Sequence, residues 1–177
     1  MPAQPFVDKL NEQIANEFAA HQQYVAAAVY FDGETLPRLA EFFYKQALEE
    51  RGHAMMMVKY LLDTGSPVKL REVSAPASDF PDHIAPIRSA LEQEQRVSTQ
   101  IGDLFRVARE EGDYLSEQFV QWFLKEQVEE EATMSEILDV AERVRDLPMT
   151  LEEFIAREHP GRSEGEDPSA PEPAGGA

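Results

Sequence analysis

The run Gln46-Ala47-Leu48-Glu49-Glu50-Arg51-Gly52-His53-Ala54-Met55-Met56-Met57 puts a carboxylate and an imidazole three residues apart on what is otherwise an apolar helical face. Followed outward at alternating steps of three and four, that face reads Leu39, Phe43, Gln46, Glu50, His53, Met57, Tyr60. It is apolar at both ends and polar in the middle. Three other stretches repeat the pattern. One reads Leu10, Ile14, Glu17, His21, Tyr24, Ala28, Phe31; the next Ile84, Ile87, Leu91, Glu94, Ser98, Ile101, Phe105; the last Val120, Phe123, Gln127, Glu130, Met134, Ile137, Ala141. Four such seams predict an all-α protein, a four-helix bundle whose middle carries buried carboxylates.

The first helix is expected over Phe6–Asp32, which is free of Pro and Gly. Gly33 stops it, and Thr35 is a plausible N-cap for a second helix that opens near Pro37 and runs to about Thr64. Pro67, Pro76 and Pro81 then mark a long connection without period up to Asp82. Loops of this length are uncommon within a compact domain and need a geometric purpose. At about 3.3 Å per residue this one spans the roughly 45 Å of a 30-residue helix, so it returns the chain to its starting end as one long crossover. A third helix is expected from near Ile84 to Glu111, a break at Gly112-Asp113, and a fourth helix to about Arg145. Thr150-Leu151-Glu152-Glu153 has the form of a capping box and opens a short fifth helix ended by His159-Pro160-Gly161. About ten residues do not hold a helix alone, so Leu151, Phe154 and Ile155 must pack against something, another subunit included. Residues 1–159 are read as one domain. Residues 160–177, rich in Pro, Gly and acid, have almost nothing apolar to bury and are expected to be disordered.

The 177 residues carry 34 acidic and 16 basic side chains, a formal charge of −18. Such a chain repels nucleic acid and anionic membranes and favours cations. With no cysteine, disulfides and thiolate metal sites are excluded, and any metal must use oxygen or imidazole. No stretch approaches the roughly 18 apolar residues of a membrane span, and no leader is evident; a cytoplasmic protein is expected.

Burying an ionised carboxylate without a partner costs several kcal/mol, so four seam glutamates imply a shared cation. Their depths agree. Glu17 and Glu50 lie 16 and 17 residues either side of Gly33, about 25 Å from that turn; Glu94 and Glu130 each lie 18 residues from Gly112, about 27 Å. Glu50 and His53, at i and i+3, can hold one ion; on the fourth helix Gln127 and Glu130 repeat the spacing with a weaker ligand. Oxygen ligands with a single imidazole suit iron or manganese, although affinity alone does not exclude zinc.

The motifs Asn16-Glu17-Phe18, Glu49-Glu50-Arg51-Gly52-His53-Ala54, Glu94, and Glu117-Gln118-Phe119 through Trp122-Phe123 to Glu126-Gln127 resemble those of the bacterial non-haem ferritins, and of actinobacterial ones most. The arrangement known for ferritin-like proteins is one Glu from each of two helices and a Glu-x-x-His pair from each of the others. Here the second pair is replaced by Gln127-Val128-Glu129-Glu130. The resemblance implies a first iron site of Glu17, Glu50 and His53, and a second of Glu50, Glu94 and Glu130, bridged by Glu50. It implies further that Gln127 lines the oxygen site, that Tyr24 sits beside the pair, and that Glu49, Glu126 and Glu129 with Glu130 form a third, shell-facing site. Without the resemblance, Tyr24 reads equally as a core tyrosine, and the Glu129 region as a solvated charged face. His21 reads as a hydrogen-bonded core histidine.

No haem is expected, because the haem-ligand methionine of bacterioferritins falls where this chain has Arg51. The implied function is iron storage: a homo-oligomer of 24 subunits that oxidises iron(II) with dioxygen and keeps iron(III) as a mineral. Asp113 and Glu117 are candidates for an inlet channel. Two other readings are a di-iron peroxidase or oxygenase of small oligomeric state, and a metal-free helical interaction module.

Overall fold

A computed structural model describes residues 1–160 and 168–175. Five helices follow in order: α1, Gln4–Gly33; α2, Pro37–Asp63; α3, Ala85–Glu110; α4, Tyr114–Arg143; and α5, Pro148–Glu158. None of the described helices is long and apolar enough to cross a membrane. Proline opens α1, α2, α3 and α5, where its missing N–H costs no helical bond.

Thr35 does not cap α2. It takes a left-handed backbone (φ 61°) and closes α1: its N–H donates to the Asp32 carbonyl (3.1 Å), and the Leu36 N–H to the Phe31 carbonyl (2.9 Å). The same closure recurs at Gly65 after α2 and at Gly112 after α3, where glycine makes the positive φ free of strain. The capping for α2 comes from α5. The buried Glu152 carboxylate accepts from the Arg38 and Leu39 backbone N–H groups at 2.9 and 2.7 Å. The expected capping box at Thr150 is therefore misplaced: α5 opens two residues earlier at Pro148, and Glu152, inside the apparent box, serves another helix. The apolar residues of α5, Leu151 and Ile155, pack within this same chain, beside Leu39 and Phe43.

The crossover runs between Thr64 and Ala85 and is pinned by two amides of α1. Asn11 Nδ2 donates to the Pro67 carbonyl while Lys69 N–H donates to Asn11 Oδ1; Gln23 and the Ala77 backbone exchange a reciprocal pair. α2 and α4 face each other antiparallel. Tyr60 meets Ser116, His53 meets Phe123 and Gln46 meets Glu130, each step of seven up α2 matching seven down α4.

Two apolar clusters fill the bundle. One surrounds the α1–α2 turn with Phe31, Leu39, Phe43, Ile87 and Ile137; the other surrounds the α3–α4 turn with Phe6, Leu10, Leu61, Leu104 and Phe123. A belt of buried polar side chains separates them.

Part of the tail lies against the bundle. Residues 161–167 and 176–177 lie outside the described residues, but Ala174 N–H donates to the Met55 carbonyl (3.0 Å) and Ala170 packs on the second cluster. Composition counts apolar side chains; it does not see a backbone bond to a helix carbonyl.

Candidate metal centre

Every seam residue expected at mid-height on α1 and α2, apart from the half-buried His21, is buried: Glu17 and Tyr24 on α1, Gln46, Glu50 and His53 on α2. Glu17, Glu50 and His53 each offer a ligand atom within 4.8 Å of the others. His53 Nδ1 sits 3.4 Å from Glu50 Oε2, one helical turn away, and the imidazole is walled by Trp122 and Phe123 at ring distances of 5.6 and 5.7 Å. Glu17 Oε1 accepts from Gln13 Nε2 (2.8 Å), while its Oε2 is buried with no hydrogen-bond partner. Burying a carboxylate oxygen with nothing opposite costs free energy that a cation would recover.

Glu94 and Glu130 stand outside this triple. Glu94, on α3, accepts from Tyr24 Oη (2.6 Å) and from Gln127 Nε2 (3.2 Å). Glu130, on α4 and half-buried, accepts from Gln46 Nε2 (2.8 Å). Thus Tyr24 touches a seam carboxylate directly, and Gln127 serves Glu94 as an amide donor. Gln13 and Gln46 are the site residues that a reading by ligand type misses; each lies one turn before a seam glutamate or across from one. The spacing Gln13–Glu17 was the available signal.

No lysine or arginine is buried among the described residues. Burial therefore dominates the electrostatics of the belt. It pushes the Glu50 carboxyl well above its ordinary range, and Glu94 nearby adds to the rise while His53 opposes it. Glu94 is raised too, first by burial, although the Tyr24 and Gln127 donors pull it down. Tyr24 is raised strongly by burial and by the charges of Glu94, Glu130 and Glu50. The His53 contact, at 3.4 Å, is what opposes the rise at Glu50, through a hydrogen bond and through charge. Carboxyls in this state exchange protons for a cation when one arrives.

His21 behaves as a core histidine, its Nδ1 2.6 Å from the Ala47 carbonyl. Glu49 and Glu126 are half-buried and Glu129 is exposed, on the facing helices α2 and α4. The two candidate channel residues are already engaged. Asp113 caps α4, accepting from Ser116 and from Ala3 N–H (2.9 Å), and Glu117 pairs with Arg109 at 2.7 Å.

Fold and site together define a class: four-helix bundles that gather carboxylates and histidine at mid-height, with a crossover between the second and third helices. Residues 7–144 match the ferritin-like domain family. The chain belongs to the ferritin family. Ferritin BfrB of Mycolicibacterium smegmatis is 49% identical over 168 residues, covering 95% of this chain and 92% of that one. Ferritin BfrB of Mycobacterium tuberculosis is 50% identical over 157 residues, 89% of this chain and 87% of that one. The bacterial non-heme ferritin of Staphylococcus aureus is 37% identical over 146 residues, 82% and 88% of the two chains. Among solved structures, the open-pore ferritin of the archaeon Archaeoglobus fulgidus superposes with a TM-score of 0.82 at 31% identity, over 88% of this chain and 96% of that one.

Proposed function

We propose that this chain is an iron-storage subunit that assembles into a homo-oligomeric shell of 24 copies. Each subunit oxidises iron(II) with dioxygen at an internal di-iron ferroxidase site and passes iron(III) to a mineral inside. The observation that carries this reading is the buried triple Glu17, Glu50 and His53, with an unpartnered carboxylate oxygen and no lysine or arginine buried among the described residues to neutralise it. It is a site shaped to prefer a cation.

In this reading Glu17, Glu50 and His53 hold the first iron(II), and Glu50, Glu94 and Glu130 the second. Glu50 bridges the two. Each iron gives one electron to dioxygen, and the protons displaced from Glu50 and Glu94 pass to the reduced oxygen or to water. Gln127 lines the oxygen side, and Tyr24 holds Glu94 in place beside the pair. Glu49, Glu126 and Glu129, with Glu130, lead the ion toward the interior. With a neutral Gln127 where relatives of the haem-binding kind have histidine, the second ion is held less tightly and moves on. Haem is not part of this reading.

Adding iron(II) in air tests it. Storage gives a large particle holding many irons per subunit, whereas a monomer or dimer that stops at about two irons per chain overturns it. Glu50→Ala is expected to abolish fast oxidation while leaving the metal-free bundle as stable or more so, because a buried carboxylate is removed. Unchanged oxidation kinetics would mean that the site lies elsewhere.

A further inference from the structure

Gln46 has no place among the metal ligands, yet it is buried on the seam and donates from Nε2 to Glu130 Oε2 at 2.8 Å, across from α2 to α4. The first site contains the same device. Gln13 Nε2 takes Glu17 Oε1 at 2.8 Å, and the other oxygen of that carboxylate is the buried one left with no partner. In both cases a neutral amide engages one carboxylate oxygen. A basic side chain in either place would orient the carboxylate equally well but cancel the charge that draws the ion.

We propose that Gln46 is a positioning residue for the second iron: by holding Glu130 Oε2 from across the bundle, it fixes the α4 carboxylate in the orientation in which it meets the ion. This rests on the ferroxidase reading and adds to it the contact that holds the α4 ligand of the second position in place. Partners that orient a ligand in this way typically govern metal affinity by about 10–100-fold.

The test is anaerobic titration of the assembled protein with cobalt(II), followed by the visible d–d bands of the two positions, for wild type, Gln46→Leu and Gln46→Asn. Leucine keeps the volume and removes the donor; asparagine keeps the amide but falls a methylene short of Glu130. Both variants are expected to bind the second ion at least about tenfold more weakly, with an altered second-site band and a first-site affinity unchanged within about twofold. Equal weakening of both ions, which loose packing would cause, overturns the proposal, as does an unchanged second ion in either variant. A wild-type protein that takes up no second ion overturns the ferroxidase reading itself, and this proposal with it.

Discussion

Glu50 and Glu94 keep their protons beyond the ordinary carboxyl range because the belt around them offers little to solvate a charge. The unfolded chain has no such belt, so its carboxyls titrate near 4.3 on the usual scale, roughly. The folded, metal-free protein thus binds protons more tightly than the unfolded one, and the contribution of these two groups to stability is full below the ordinary range. It is lost as pH rises through their raised values. A divalent ion reverses the sign, since it replaces those protons and binds better as pH rises. Thermal melts of the metal-free protein above about pH 4.5 should show this contribution falling with pH, and melts with zinc(II) should show it rising. Glu50→Gln should flatten the metal-free slope; an identical slope in that variant would place the titration elsewhere.

At the scale of elements, α5 is fastened to α2 by one carboxylate. Glu152 satisfies two amides at the start of α2 that have no cap of their own, Leu36 offering no side-chain acceptor. Glu152→Ala should cost about 2–3 kcal/mol, and Glu152→Gln, which keeps an acceptor oxygen, clearly less. Hydrogen exchange at the Leu39 amide reads this directly: faster exchange is expected in the alanine variant, and unchanged protection would show that the bond does not hold the end of the helix. This contact also marks where the sequence stops being readable. The four seams identified the burial of Glu17, Glu50, His53 and Glu94 because a helical period relates residues on one element to one face. It says nothing of which side chain on another element satisfies a given amide. Thr35 read as a cap for the same reason: its residue type fits, and only tertiary context sets its φ to 61°. Glu94 and Glu130 were legible as residue types at one depth, but the bonds that tie Glu94 to Tyr24 and Glu130 to Gln46 bridge helices.

For the molecule as a whole, the charge of −18 belongs to a chain with no lysine or arginine buried among its described residues. Capture of dilute iron(II) should slow by about threefold or more as salt is raised from about 0.01 to 0.3 M, since screening shortens the reach of that field. A rate indifferent to salt would mean that local ligands alone set the capture step. The division of the core into two apolar clusters bears on how such a protein is made. Each cluster is centred on its own hairpin turn, and α1–α2 leaves the ribosome first, carrying Glu17, Glu50 and His53 together. Glu94 and Glu130 arrive with the second hairpin. Under the proposed two-iron reading, a half-made chain presents at most the first ligand set, and the second is completed only when both hairpins have docked. On that reading, the order of synthesis separates nascent chains from the reaction proposed for the finished subunit.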